Sequence, residues 1–177
     1  MSKAIAILVP LVALGLGGTA GADSTTVFEG KAVTEQALIE ALTPPVRMRS
    51  IKVQRESSGE TRSAPAAHLL ITFDFDSADL SADAKGLVDK LGRALNTQPL
   101  TEFSFTVEGH ADPRGTPEYN VRLSQARAES VLRYLVAQHG ISERRLRAVG
   151  KGSTEPLNTA VESAPENRRV TVVTVQE

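Results

Sequence analysis

One continuous stretch in the second half of the chain limits its fold more than any other. Residues 107–115 read VEGHADPRG, and residues 119–128 read YNVRLSQARA. The first run predicts the end of a strand followed by a tight polar loop, and the second predicts a long amphipathic helix. The carboxylate of Asp112 and the guanidinium of Arg127 therefore come from adjoining elements. Two opposite charges placed in this way are suited to holding a zwitterion.

Apolar periodicity around this stretch predicts an α+β fold. Strands are predicted over residues 68–75, 102–108, 144–149 and 169–175. Helical spacing predicts one helix that is capped by Ser81 and ends before Pro99, and a second that runs from near Pro117 to Gly140. The order strand, helix, strand, helix, strand, strand is typical of a βαβαβ sandwich, a sheet with helices packed on one face. The helical crossover favours parallel first and second strands, and the direction of the last strand stays open.

The same spacing predicts which residues of the two helices face the sheet. In the first helix these are Ala84, Leu87, Val88, Leu91 and Leu95. In the second they are Leu123, Ala126, Ser130, Val131, Tyr134 and Leu135. With few aromatic residues in the chain, we expect the core to consist of aliphatic side chains.

Residues 1–22 predict an export signal. Lys3 is followed by an apolar run over residues 4–16, which is too short to span a bilayer comfortably. Two glycines and then Ala20-Gly21-Ala22 follow, and an A-x-A pattern is typical of a signal-peptide cleavage site. We expect cleavage after Ala22 and a protein outside the cytoplasm with no other anchor. An uncleaved anchor is the alternative.

Residues 23–65 differ in composition from the rest and are predicted to form a flexible arm or linker. Within them, Thr34 is a candidate N-cap for about two turns of helix that end at Leu42, before a Pro-Pro pair. Residues 56–65 are rich in Ser, Gly and Pro, as linkers are. The arm is interpreted as a spacer or a docking segment for a partner, with a solvated tail as the alternative. Residues 66–177 then form the folded domain.

The composition of the chain excludes several classes of function. Its 177 residues include no cysteine and carry a formal net charge of -1. Disulfides, thiolate zinc sites, a cysteine nucleophile and a lipid-modified N-terminal cysteine are therefore excluded, and we expect no lipoprotein anchor. The balanced charge gives no reason to expect a nucleic-acid partner. Residues 150–152 (GKG) lack the further residues of a dinucleotide or phosphate loop, so we interpret them as a turn.

The central stretch resembles the OmpA C-terminal-like family, the peptidoglycan-binding module of Gram-negative envelope proteins. Its signature, Gly-His-(Thr/Ala)-Asp, a Gly three residues on and Tyr-Asn-x-x-Leu-Ser-x-x-Arg-Ala, is present from Gly109 to Ala128. Further pieces agree in order: residues 73–77 (FDFDS), 150–152 (GKG) and 167–170 (NRRV). Ser153 departs from a glutamate that is frequent in the family. The resemblance covers residues 66–177 and implies a mixed sheet.

This resemblance also implies a ligand, the free amino acid head of meso-diaminopimelate in peptidoglycan stem peptides. Asp112 matches the family position that contacts its ammonium group, and Arg127 matches the position that binds its carboxylate. On the same helix face as Arg127, Asn120 is expected to bond the stem-peptide backbone and Leu123 to contact its aliphatic part. The loop at the mouth of the groove contributes two further matches, Phe75 and Asp76. Residues 167–169 are expected to brace the binding loop or to pair with acids on the helix.

We therefore expect a non-enzymatic periplasmic protein, associated with the cell wall or the inner face of the outer membrane, with no cofactor. Another envelope protein is a candidate partner for residues 23–65. One alternative function is a protein–protein interaction module whose groove binds a protein. A second is a wall hydrolase that uses Asp112, Glu108 or His110. These three residues have no second histidine nearby, so we expect neither a metal site nor acid–base catalysis there.

Overall fold

The computed structural model describes residues 27–29, 33–45, 64–71, 73 and 77–175. In chain order the elements are β1 (Val27–Phe28), α1 (Glu35–Leu42), β2 (Ala66–Leu69), α2 (Ala82–Leu95), β3 (Ser104–His110), α3 (Pro117–His139), β4 (Leu146–Gly152) and β5 (Val170–Val175). Short 3-10 helices precede β4 and β5, at Glu143–Arg145 and Pro165–Asn167. None of the helices in these ranges is both long and apolar enough to cross a membrane. The predicted signal peptide lies outside the described residues.

The strands form one five-stranded mixed sheet in the order β1-β2-β5-β3-β4. β5 is antiparallel to both β2 and β3, whereas β4 is parallel to β3 and β1 is parallel to β2. β2 and β3 therefore point in the same direction, as the helical crossover predicted, but the last strand lies between them. The predicted α+β fold, a mixed sheet with helices packed against it, is confirmed.

α2 begins and packs as its sequence predicts. The Ser81 hydroxyl accepts a hydrogen bond from the backbone N–H of Ala84 (3.2 Å) and so caps the helix. All five predicted core positions of this helix are buried. Leu91 and Leu95 have no exposed surface. Burying a leucine side chain contributes about 1.5–3 kcal/mol to the stability of the fold. This apolar face therefore holds α2 against the hydrophobic core.

α3 buries a different stripe from the predicted one. It begins at Pro117 and ends at Gly140, which has the left-handed conformation expected of a helix C-cap. Its buried residues are Asn120, Ser124, Ala128, Val131 and Leu135. Only the last two belong to the predicted stripe. The first three are small or polar because the helix lies directly on the sheet backbone, where a Cβ on Gly109 would clash with the Ser124 carbonyl.

The described residues between 27 and 45 do not form the flexible arm that the sequence predicted. α1 has its predicted extent, and the Thr34 hydroxyl accepts from the N–H of Ala37 (3.2 Å). Its Leu38 and Leu42 are fully buried in the common core, and β1 pairs with β2. Apolar burial thus fixes this segment to the domain. Residues 46–63 lie outside the described residues, so the linker and the domain boundary at residue 65 stay predictions.

Two strand predictions are wrong in their bounds. The first strand was predicted to reach residue 75, but β2 ends at Leu69. The chain turns there, because the N–H of Ile71 donates to the Leu69 carbonyl (2.9 Å). Phe73 forms an isolated bridge with Leu80 instead. Residues 150–152, interpreted as a turn, are the paired end of β4. Glycine is required at 150 because a Cβ there would lie 2.6 Å from backbone atoms of α3.

Candidate functional site

The candidate site is built on the loop between β3 and α3, which is held at both of its ends. At the strand end, the N–H of Ala111 donates to the Gly152 carbonyl (2.8 Å). At the helix end, the Thr116 hydroxyl accepts from the N–H of Tyr119 (3.2 Å) and caps α3. Gly115 has φ +97°, a conformation that L residues rarely adopt. The loop can therefore turn sharply and present its polar residues beside the helix N-terminus.

Asp112 is buried in this loop and is bound by two arginines. Its Oδ1 accepts from the backbone N–H and the Nε of Arg114 (3.2 and 3.0 Å). Its Oδ2 accepts from Arg114 Nη2 (2.7 Å) and Arg168 Nη1 (3.0 Å). The hydrogen bonds from Arg114, reinforced by those from Arg168, lower the pKa of Asp112 to about 2. The carboxylate is therefore ionised throughout the physiological range.

Arg127 lies on α3 and contacts the segment between β2 and α2. Its Nε donates to the Ser77 carbonyl (3.1 Å), and its guanidinium carbon lies 4.8 Å from the centre of the Phe73 ring. A cation–π contact of this kind and the hydrogen bond together restrict the orientation of the guanidinium. The Asp112 carboxylate is thus held by the loop after β3, and the Arg127 guanidinium is held by the segment before α2.

Asn120 and Leu123, the other predicted site residues on α3, differ in their surroundings. Asn120 is buried, and its side-chain amide donates to the Asp112 carbonyl (3.1 Å). This bond gives Asn120 a role in holding the loop, in addition to the ligand contact that the sequence predicted. Leu123 is partly exposed on the next turn. Phe75 and Asp76, predicted at the mouth of the groove, lie outside the described residues.

Two arginines belong to the site geometry beyond the predicted set. Arg114 supplies most of the bonds to Asp112, and no pattern in the sequence singled it out. The sequence did offer one signal, since Arg114 lies two residues after Asp112 in a predicted turn, where an aspartate side chain can bond the backbone two residues on. Arg168 was expected to brace the loop or to pair with an acid, and its bond to Asp112 confirms the bracing role. The side chain of Arg168 also donates to the Ser163 carbonyl (3.0 Å).

An open groove of about 610 Å³ lies beside these arginines. It is lined by Pro113, Arg114, Thr159, Ala160, Glu162 and Ser163. Its far wall is ordered by the buried side chain of Asn167, whose amide donates to the carbonyls of Asn158 and Glu162 (both 2.9 Å). The groove therefore has one wall in the Asp112 loop and the other in the loop before β5.

Comparison with known proteins identifies the family. The model of the OmpA family matches residues 72–169, which is more than half of the chain. The chain therefore belongs to the OmpA family.

Curated relatives agree with this membership, and a solved structure shows the same fold. A protein named peptidoglycan-associated lipoprotein from Brucella melitensis is 40% identical over 87 residues, which cover 49% of this chain and 50% of the relative. Outer membrane porin F of Pseudomonas aeruginosa is 37% identical over 102 residues, 56% of this chain and 29% of the porin. The chain thus spans about half the length of the Brucella relative and less of the porin. The OmpA-like domain of FopA1 from Francisella tularensis has the same fold, with a TM-score of 0.52 at 24% identity over 75% of this chain and 94% of that domain.

Proposed function

We propose that this chain is a non-enzymatic, periplasmic peptidoglycan-binding protein that holds the diaminopimelate of wall stem peptides and so contributes to cell-envelope organisation. Membership of the OmpA family and relatives named peptidoglycan-associated lipoprotein support this proposal. The observation that carries it is a buried, ionised carboxylate, Asp112, in a loop that opens beside the arginine-bearing helix α3.

The ammonium end of the ligand is assigned to Asp112. Both carboxylate oxygens of Asp112 already accept hydrogen bonds from the guanidinium groups of Arg114 and Arg168. The ligand ammonium therefore has to replace one of these two guanidinium groups. Arg114 is the one that can leave, since its side chain is 70% exposed against 38% for Arg168. One positive charge then replaces another on the same carboxylate. The exchange costs little electrostatically, and it selects a ligand that carries a cation.

The carboxylate end of the ligand is assigned to Arg127. A guanidinium binds a carboxylate through two parallel hydrogen bonds, whereas a lysine presents a single point charge. Contacts to Phe73 and Ser77 restrict this guanidinium before the ligand arrives, which lowers the entropy lost on binding. Asn120 positions the acid end, and Leu123, which lies one helical turn before Arg127 on α3 and is partly exposed, offers apolar surface to the ligand. Amidation of diaminopimelate would remove the group that Arg127 holds.

The predicted export signal and the named relatives support a location at the cell wall or the inner face of the outer membrane. Residues 23–65 are proposed to contact another envelope protein. Because α1 is part of the core, the test replaces only residues 46–63 by a Gly/Ser linker of equal length. Co-purification of the same envelope proteins with the altered chain would contradict a role for residues 46–63 in this contact.

The direct test measures how much purified protein sediments with isolated sacculi. Asp112→Asn and Arg127→Ala are each expected to weaken binding by about 10-fold or more, since a lost hydrogen bond to a charged group costs about 1.5–3 kcal/mol. Arg127→Lys should recover little of the loss. Free meso-diaminopimelate should compete, and walls amidated at diaminopimelate should bind more weakly.

Matched controls separate the site from general charge. Asp83→Asn and Arg122→Ala remove the same charges from exposed positions on α2 and α3 and should bind as wild type does. Wild-type protein that stays in the supernatant would overturn the proposal and favour the protein-interaction alternative. Release of soluble wall fragments during the incubation would instead favour the hydrolase.

A further inference from the structure

A second polar cluster lies on the face of the sheet opposite α3. Side chains alternate along a strand, and Gly109 faces α3, so its neighbour Glu108 lies on the other face. His110 follows a register shift in β3, and its Nε2 lies 3.9 Å from Glu108 Oε2, which places the two side chains together. Glu155, from the loop after β4, reaches the same place. None of the three side chains takes part in the hydrogen bonds of the Asp112 carboxylate described above.

His110 is the unusual member of this cluster. Its side chain is only 2% exposed, yet neither ring nitrogen has a hydrogen-bond partner among the described residues. Burying an unpaired polar group costs on the order of 1–3 kcal/mol. Burial, helped by the positive charge of Arg169, lowers the pKa of His110 to about 3, so the ring is neutral and one of its two nitrogens keeps a lone pair that can bind a metal ion. A neutral imidazole is the form that binds metal ions.

The two carboxylates are arranged around this imidazole. One ligand atom from each of Glu108, His110 and Glu155 lies within 4.8 Å of the others. Around a single zinc ion, nitrogen and oxygen ligands lie about 3–3.5 Å apart, because each bond is about 2.0–2.2 Å long. Closing the remaining gap requires a shift of about 1 Å. Glu155 can supply it, since its side chain is 51% exposed.

We propose that Glu108, His110 and Glu155 form a binding site for a divalent transition metal of the Zn²⁺ class, with water in the remaining coordination positions. One imidazole and two carboxylates suit zinc and its neighbours better than Mg²⁺ or Ca²⁺, which take oxygen ligands alone. The metal would also satisfy a ring nitrogen of His110 that has no hydrogen-bond partner within the described part of the chain.

Lys151 competes with the metal for this site. Its ammonium lies 3.3 Å from Glu108 Oε1 and 2.9 Å from Glu155 Oε1. A metal ion can bind only when this ammonium leaves, and two carboxylates then balance the two charges of the ion. Lys151 is partly exposed and can swing into solvent. This competition lowers the affinity of the wild-type protein for the metal ion. Removing the Lys151 charge should therefore tighten metal binding, a response that an adventitious surface site would not show.

The test is a Zn²⁺ titration of the purified, untagged chain by isothermal calorimetry after chelator treatment. We expect one site. Glu155→Gln should weaken it about 10-fold or more, as the loss of even outer-shell partners does. Lys151→Met should tighten it about 10-fold, because a competing positive charge at contact distance is removed. Glu143→Gln and Lys85→Met, on exposed surface elsewhere, are the matched controls and should leave the affinity unchanged.

Both test positions are at least partly exposed, so the variants should fold, and circular dichroism checks that they do. His110→Leu provides the third variant and should abolish binding. The proposal requires both the weakening by Glu155→Gln and the tightening by Lys151→Met. If either change is missing, including the case in which no variant binds Zn²⁺, the proposal is overturned.

Discussion

At Asp112, the negative charge that is proposed to hold a ligand also stabilises the loop that carries it. Arg114 and Arg168 converge on this carboxylate, the first from the loop itself and the second from the end of the 3-10 helix before β5. A ligand ammonium can take the place of the exposed Arg114 while Arg168 stays. We therefore expect the loop to keep its shape when the ligand binds, because one of its two arginine contacts is never broken.

This arrangement predicts how stability depends on pH at Asp112. Its pKa is about 2 in the folded protein against an ordinary value of 3.8, so the contribution is fully present above about pH 4 and is lost as pH falls through 2. Because the arginine partners are solvent-exposed, we expect about 1–2 kcal/mol. Urea unfolding across this range should show wild type losing stability that Asp112→Asn does not lose. Parallel losses in the two proteins would contradict the prediction.

His110 predicts a pH dependence in a different window. Its pKa falls from 6.5 to about 3 on folding, so between these values the unfolded chain holds a proton that the native protein does not. Folding stability should therefore decrease as pH falls below 6.5, by up to about 1.4 kcal/mol per pH unit. His110→Leu should remove most of this slope, measured by urea unfolding with chelator present, and His68, whose pKa burial also lowers, should account for the remainder. His139→Gln, which also removes one histidine, should retain it.

At the scale of elements, the sequence predicted most helices and strands but not how they come together. The α2 stripe and the caps at Ser81, Thr34 and Gly140 follow from local chemistry, which sequence periodicity records. The insertion of β5 between β2 and β3 depends on pairing between strands far apart in the chain. The same limit applies to the proposed site, for which the motif predicted Asp112 and Asn120 but not Arg114.

The predicted set of buried residues on α3 was mostly wrong, and two glycines of the sheet explain why. Gly109 and Gly150 are paired neighbours on β3 and β4, and α3 lies on both. The helix therefore buries Ser124 and Ala128, small residues that apolar periodicity does not recognise as core.

This close approach predicts that Gly109→Ala is strongly destabilising. The new Cβ would meet the backbone carbonyl of Ser124, which cannot rotate away as a side chain could. We expect a loss of about 3 kcal/mol or more in the free energy of unfolding, at the upper end of overpacking costs. Gly86→Ala is the matched control, since nothing lies within 4 Å of its Cβ on an exposed face of α2. That change should stabilise by about 0.5–1 kcal/mol, and equal effects of the two substitutions would contradict the packing described here.

At the scale of the whole molecule, the segment before residue 46 changes what counts as the domain. Its content of Thr, Ser, Glu and Pro suggested an arm. Its apolar residues decide its place instead, since Phe28, Val33, Leu38 and Leu42 all join the core formed by the rest of the chain. The Thr174 hydroxyl of β5 also donates to the Leu42 carbonyl (2.7 Å), which ties the last strand to the first helix.

If this packing is part of one cooperative structure, a substitution in α1 must destabilise residues that lie far along the chain. Leu38→Ala leaves a cavity at a fully buried position and should lower the free energy of unfolding by about 2–5 kcal/mol, in a single transition. Glu40→Ala, on the exposed side of the same helix, should change it by no more than about 0.5 kcal/mol. Hydrogen exchange then locates the effect. Amides of β5 should lose protection from exchange in Leu38→Ala, because they open only when the whole domain unfolds. Unchanged protection of β5 would mean that α1 unfolds separately and that the arm interpretation is correct.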